Sequence, residues 1–270
     1  MRLSFIKMHG LGNDFVILDG RGAELPRLSE AQIRALADRH RGIGFDQLIV
    51  LAPSDAADFA MRIHNADGGE VGACGNASRA VAVLHGKPAQ VETAGGLIAV
   101  RPGDGQAEVA MGQPRFEWPD IPLAYAMDTR DMPVGWDMLE RPGAVNVGNP
   151  HVVFFVDNDV ADVPLDRLGP EIEHDPMFPD RINVNVAQIV SREAIVLRVW
   201  ERGAGLTLAC GTGACATAAV AYRRGLVDAQ VSVTLPGGTL IIRHDEGGGL
   251  HMAGPAQESY RGTFDLDDFS

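Results

Sequence analysis

Short apolar runs recur along the chain and set its predicted elements. Ile49 to Leu51, Phe59 to Ile63, Val152 to Val156 and Ile195 to Trp200 are rich in β-branched residues and predict strands. VETAGGLIAV (91–100) and VTLPGGTLII (233–242) read as hairpins around their Gly-Gly pairs. Ser29 to Arg39 reads as a helix capped by Ser29, with Glu30 in its first turn. The longest helical segments both start at a cysteine. CGNASRAVAVLHGK (74–87) stops at Gly86 before Pro88, and CGTGACATAAVAYRRG (210–225) stops at Gly225 after Arg223 and Arg224. Late glycines and late cations suit helix C-termini. Ala and Gly along both segments let other backbones come close, as a central helix wrapped by sheet requires.

The pattern also repeats. Gly12-Asn13, Gln47, Arg62 and Cys74-Gly75 have counterparts 136 residues later in Gly148-Asn149, Asn183, Arg198 and Cys210-Gly211. MRIHNADGGEVGACGN (61–76) faces LRVWERGAGLTLACGT (197–212), and VETAGGLIAVR (91–101) matches VTLPGGTLIIR (233–243) at an offset of 142. Asn, Arg and Cys holding one offset without a gap point to duplicated architecture. The expected fold is α+β, with two pseudo-symmetric lobes, each a central helix wrapped by a mostly antiparallel β-sheet or barrel. The lobes are expected over 1–120, with Cys74, and 121–270, with Cys210, joined near the Pro-rich stretch Gln113 to Pro142. Whether the tail after Gly254 returns to the first lobe is left open by the pattern.

Composition narrows the function classes. The 270 residues carry 36 acidic and 23 basic side chains, a net charge of −13, which disfavours nucleic-acid binding. Only Lys7 and Lys87 are available for a Schiff base, and neither sits in a cofactor motif. No apolar run reaches the ~18 residues of a membrane span, and the first residues carry no signal-peptide pattern. A cytoplasmic protein without membrane contact is expected. Cys74, Cys210 and Cys215 form neither a disulfide framework nor a four-cysteine zinc site, so no metal is expected. GTGACA (211–216) satisfies a degenerate dinucleotide pattern, but a loop separates it from the preceding strand.

Cys74 and Cys210 each precede a Gly and a short polar residue at a helix start. Free N–H groups there favour a thiolate and can also bind a carboxylate. Two such thiols, one on each face of an α-carbon, would remove a proton from one side and return one from the other, inverting an amino acid without a cofactor. A lone buried cysteine is more simply a small hydrophobe. The repetition of the arrangement favours chemistry for Cys74 and Cys210, whereas Cys215, opposite Arg79 in the repeat, reads as structural. A redox pair of Cys210 with Cys215 is geometrically poor on a helix. A non-catalytic amino-acid-binding protein would not need both thiols.

The motifs KMHGLGNDFVILD, GIGFDQLIVL, RIHNADG, ACGN, VGNPHVVFFV, RINVN and RVWERGAG…ACGTGACA, in that order, resemble the diaminopimelate epimerase family over nearly the whole chain. The resemblance implies a cofactor-independent isomerase that interconverts LL- and meso-diaminopimelate in lysine and peptidoglycan synthesis, with Cys74 and Cys210 as bases. It implies substrate-binding roles for Asn13, Gln47, Asn65, Gly75, Asn76, Asn149, Asn183, Glu201, Arg202, Gly211 and Thr212. Arg202 suits the distal carboxylate of such a substrate, and Glu201 or an Asn its ammonium. His151 joins the set either as a group that orients substrate or assists proton transfer, or as a hydrogen-bonded core histidine. A homodimer is implied as well. The chain departs from the family pattern at Ala73, Ala77-Ser78, Leu206-Thr207 and Asn185-Val186, where the family often has Met, Gly-Ala, Glu-Thr and Gly with an aromatic. The alternative is a racemase or epimerase of the same fold acting on another amino acid.

Overall fold

The computed structural model describes residues 1–72, 74–103 and 105–269. The chain forms two compact units. One contains Met1–Val109 and the tail from Gly254; the other contains Ala110–Ala253.

The first unit is built from β1 (Arg2–Gly10), β2 (Asn13–Asp19), α1 (Glu30–Ala37), β3 (Gln47–Ala52), β4 (Phe59–Asn65), β5 (Glu70–Val71), α2 (Gly75–His85), β6 (Ala89–Thr93), β7 (Gly96–Pro102) and β8 (Gln106–Gly112), the last of which leads out of it. The second contains β9 (Gly135–Trp136), β10 (Leu139–Glu140), β11 (Gly143–Asn146), β12 (Pro150–Phe155), α3 (Leu165–Glu173), β13 (Asn183–Ser191), β14 (Ala194–Glu201), β15 (Gly205–Thr207), α4 (Gly211–Arg223), β16 (Gln230–Leu235) and β17 (Gly238–His244). The chain returns to the first unit within β18 (Leu250–Pro255) and adds β19 (Gln257–Asp265) to it.

The repeat is reproduced in strand register. Phe15 pairs with Gln47 across the parallel β2 and β3, as His151 pairs with Asn183 across β12 and β13. Ile63 opposes Val71, as Val199 opposes Thr207. Phe59 pairs with Val91, as Ile195 pairs with Val233; the six-residue slip falls between the cysteines and these strands, where both α4 and the loop after it are longer than their counterparts. The two hairpins turn on Ala94-Gly95 and Pro236-Gly237, one residue before the expected Gly-Gly pairs, because Thr93 pairs with Gly96 and Leu235 with Gly238. In the first unit α2 packs on β1, β7 and β19, and in the second α4 packs on β11, β12, β13, β16 and β17. The alanine faces of both helices are buried, as their composition requires.

Three regions go beyond the sequence reading or differ from it. The tail, which the sequence pattern leaves open, is not part of the second unit but belongs to the first: β19 pairs along β1 from Arg2–Asp265 to His9–Gln257, and Phe264 and Leu266 enter the core with Leu3, Phe5 and Val16. Without β19, the apolar β1 would be an open edge. The Pro-rich stretch 113–142 is no linker either. Ile121, Leu123, Met132, Trp136 and Leu139 lie in the core of the second unit with Phe154 and Leu168. The third is α3, which carries a buried stripe of Leu165, Leu168 and Ile172. Its Gly169 lies so close to the Trp200 ring that any Cβ would overlap it.

Candidate active site

Each cysteine is the N-cap of its helix. Cys74 (φ −147°, ψ 111°) accepts on Sγ from the Ala77 N–H at 3.5 Å; Cys210 (φ −129°, ψ 107°) accepts from the Gly213 N–H at 3.3 Å. Sulfur thus takes the place that Ser, Thr or Asp oxygen usually fills, and a helix N-terminus favours it most when it is ionised. Their surroundings differ. Cys74 is half-buried and Cys210 fully buried. Burial pushes the Cys210 thiol well above its ordinary range, and the Glu201 carboxylate adds to this, against hydrogen bonds from Thr212 and the Gly213 N–H. In the free protein Cys210 holds its proton.

Around Cys74 the polar groups form a fan. Asn76 Nδ2 donates to Asn13 Oδ1 at 3.1 Å, and Cys74 Sγ lies 4.0 Å from the same oxygen. Asn13 Nδ2 donates to Asp46 Oδ2 at 2.9 Å. Asp46 receives Arg39 at 2.8 Å, and Arg39 also pairs with Asp14, as does the buried Lys7 at 2.6 Å. Burial alone would raise the Asp14 carboxyl, but hydrogen bonds from Arg39 and Lys7 outweigh it and bring it down to about 2. Beside this network Gln47 Nε2 donates to Asn65 Oδ1 at 3.1 Å.

Around Cys210 the equivalent positions make related contacts. Asn149 Nδ2 donates to Thr212 Oγ1 at 3.4 Å, as Asn76 and Asn13 meet in the first unit, and Thr212 Oγ1 lies 3.5 Å from Cys210 Sγ. Among the described residues no ion pair stands behind Asn149. His151 Nε2 meets Asn149 Oδ1 at 2.9 Å, and Asn185 Nδ2 meets His151 Nδ1 at 3.1 Å. His151 is fully buried; desolvation lowers it to about 3 despite the Asn185 contact, with Arg202 adding to the lowering, so the ring is neutral. Asn183 donates to the Pro150 carbonyl at 2.8 Å and accepts the Arg202 N–H at 2.9 Å, which fixes the start of the β14–β15 turn. Glu201 accepts the Thr207 hydroxyl at 2.5 Å. The Arg202 guanidinium is exposed, with one bond to the Asp180 carbonyl at 2.9 Å.

Within the first unit, then, Asn13, Asn76 and Cys74 stand together, with Gln47 on Asn65 beside them. Within the second, Asn149, His151, Thr212 and Cys210 stand together, as do Asn183 and Arg202. Gly75 and Gly211 are the first residues of α2 and α4. Ala73 lies outside the described residues, and Leu206 is exposed on β15. Sequence reasoning missed Asp46, Asn185 and Glu173. The buried Glu173 accepts Trp200 Nε1 at 2.7 Å and the Gly203 N–H at 2.9 Å, and so holds the turn that carries Glu201 and Arg202. Asn185 had a signal in the sequence: two residues from Asn183 on one strand, it points to the same face.

The fold is that of a class with several solved members. It matches a phenazine biosynthesis protein of the PhzF family from Enterococcus faecalis (TM-score 0.73, 14% identity, 98% of this chain and 100% of that one). It also matches a probable proline racemase from Agrobacterium radiobacter K84 (TM-score 0.68, 16% identity, 99% and 94%). At these identities the likeness defines the α+β fold alone. Sequence carries the assignment further. The family model described as diaminopimelate epimerase matches residues 5–117 and 143–258. Diaminopimelate epimerases from Erythrobacter litoralis and Zymomonas mobilis are 66% and 52% identical to the chain, each over the full length of both proteins. The chain belongs to the diaminopimelate epimerase family and is an isomerase. Among the described residues, no helix is long and apolar enough to cross a membrane.

Proposed function

We propose that the protein epimerises LL-2,6-diaminopimelate to meso-diaminopimelate without a cofactor, with Cys74 and Cys210 as the two bases. The observation that carries this reading is the matched pair of N-cap sulfurs, each receiving a helix N–H from the third residue after it. Inversion at one carbon needs proton removal on one face and delivery on the other. A thiolate takes the α-proton and becomes a thiol; the second thiol gives its proton to the opposite face and becomes a thiolate. The reverse reaction runs with the roles exchanged, which suits equivalent residues in a reversible reaction.

The α-proton is very weakly acidic, so the carbanion needs electrostatic help from N–H groups and amides in a site without water. Gly75-Asn76 and Gly211-Thr212 supply N–H groups for the reacting carboxylate. Asn13 and Asn149 flank the sulfurs, while Gln47, Asn65, Asn183, Glu201 and Arg202 receive the distal ammonium and carboxylate. Arg202, exposed and held by one carbonyl, keeps donors for a carboxylate. The family resemblance further implies a homodimer and a cytoplasmic enzyme; the mass of the protein in solution checks the first.

The test uses reduced protein and LL-diaminopimelate in deuterated water without added cofactor. Formation of the meso isomer with deuterium at the inverted centre supports the reading. Folded, reduced protein that neither inverts nor exchanges the α-proton rules it out, and other amino acids then become the substrates to try.

A further inference from the structure

Asn185 has no assigned role, yet it is completely buried beside His151. We propose that Asn185 is a positioning residue: it fixes the His151 ring with its proton on Nε2, and so directs a hydrogen-bond chain through Asn149 and Thr212 that ends in a hydroxyl donated to Cys210 Sγ. The inference rests on Cys210 being one of the two bases.

The polarity of the chain follows from its buried end. Asn185 Nδ2 lies 2.9 Å from the Val152 carbonyl oxygen, which can only accept, so the amide must turn its nitrogen that way. The second hydrogen of the same NH2 faces His151 Nδ1 at 3.1 Å. Nδ1 therefore accepts, and a neutral ring carries its single proton on Nε2. That N–H donates to Asn149 Oδ1 at 2.9 Å, which leaves the Asn149 NH2 for Thr212 Oγ1 at 3.4 Å. Besides Asn149, Cys210 Sγ at 3.5 Å is the only hydrogen-bond partner of the Thr212 hydroxyl among the described residues. The hydroxyl proton is left for sulfur. Reversing the Asn185–His151, His151–Asn149 or Asn149–Thr212 link would set the Asn185 oxygen against the Val152 carbonyl in a dry interior.

Two further observations agree. Asn185 Oδ1 is buried without a hydrogen-bond partner, so its NH2 alone sustains the orientation. Gly213 makes room for that oxygen, since a Cβ there would lie 2.8 Å from it. Among the described residues the first unit has no such chain. The positions equivalent to His151 and Asn185 are Phe15 and Ile49, both fully buried. A hydroxyl donated to sulfur favours the thiolate, and at Cys210 it works against burial and the Glu201 carboxylate. The other charge near the chain is Arg202, which helps to keep His151 neutral.

The test needs no substrate. Imidazole nitrogens are read by NMR in protein labelled with 15N-histidine, with His151 assigned by the signals lost in His151→Gln. The Cys210 thiol is titrated by thiolate absorbance in Cys74→Ala protein. Expected is a neutral Nε2–H ring in the parent. In Asn185→Gly the Nδ1–H form appears, and the Cys210 midpoint rises by about one pH unit, a tenfold effect typical of one hydrogen bond. Thr212→Val raises the midpoint in the same direction while the ring stays Nε2–H. A parent ring protonated on Nδ1 overturns the proposal, even if no variant folds. So does an Asn185→Gly ring that keeps Nε2–H, or a changed ring with an unmoved Cys210 midpoint. Protein that passes these tests but leaves diaminopimelate unchanged counts against the reaction and not against the chain of hydrogen bonds.

Discussion

Around Cys74 the amide of Asn13 is held by a carboxylate, Asp46, that Arg39 holds in turn; around Cys210 the amide of Asn149 is held by a neutral imidazole. The strands around the two cysteine helices pair in equivalent register, so the difference lies in burial. Arg39 and Asp46 are open to solvent, where charges keep much of their hydration. His151 and Asn185 lie in a dry interior, where an unpaired charge would cost several kcal/mol, and neutral donors and acceptors fix the geometry instead. A duplicated scaffold has thus been given two means of aiming the same kind of amide, each fitted to its local solvent access.

Experiments can break this comparison at several strengths. Removing either sulfur, in Cys74→Ala or Cys210→Ala, is expected to lower the epimerisation rate roughly a thousandfold, measured as meso product formed. Equal losses would place the two sites on the same footing despite their different support. Next in size is Gly213→Ala, whose Cβ would sit 2.8 Å from Asn185 Oδ1 and 3.2 Å from Cys210 Sγ. It should cost about 2 kcal/mol by overpacking, read from the urea midpoint. The mirror change, Ala77→Gly, should cost about 1 kcal/mol through helix propensity and the loss of a buried methyl, with no overpacking.

Acid separates the sites further. The His151 pKa is lowered from 6.5 to about 3 by burial. Below pH 6.5 the unfolded chain takes up a proton that the folded ring refuses. Stability therefore falls by up to about 1.4 kcal/mol per pH unit down to pH 3, and His151→Gln should flatten that limb. Asp14 has the opposite sense. Its folded value of about 2 lies below the ordinary 3.8, so its contribution is complete above pH 4 and is lost only as pH falls towards 2. Between pH 6 and 4, urea midpoints should respond to His151→Gln and not to Asp14→Asn in their slope with pH. The smallest effect is expected from Asp46→Ala, which frees the Asn13 amide to rotate: a loss of about tenfold in kcat/KM, reduced in Arg39→Ala protein where the network is already open.

The repeat made most of this frame legible before any coordinates. Offset 136 in the sequence is also the offset in strand pairing, because Asn13, Arg62 and Cys74 recur as Asn149, Arg198 and Cys210 where the backbone recurs. Ser29 is read correctly as a cap, and Gln32 adds the reciprocal bond that its type allows. What escaped was information held in packing. The stretch 113–142 looks like a linker because its apolar residues have no period, although Trp136 and Met132 are core. Asp46 lies one position from the recognised Gln47, and its role is visible only once β2 and β3 pair and set it beside Asn13. Asn185 read as a departure from a pattern, since its partner His151 lies on a different strand.

The path of the chain through its two units bears on the order in which they can be made. The first unit holds β1 against β19, yet every residue of the second unit is translated between them. While the ribosome still holds the tail, β1 presents an unpaired edge, and Phe5 lacks Phe264. Ala110–Ala253, in contrast, is one continuous segment and can finish first. The amino-terminal half therefore waits on the carboxy-terminal one, and nascent chains stalled before Gly254 should resist protease at Val152 to Val156 sooner than at Ser4 to Lys7.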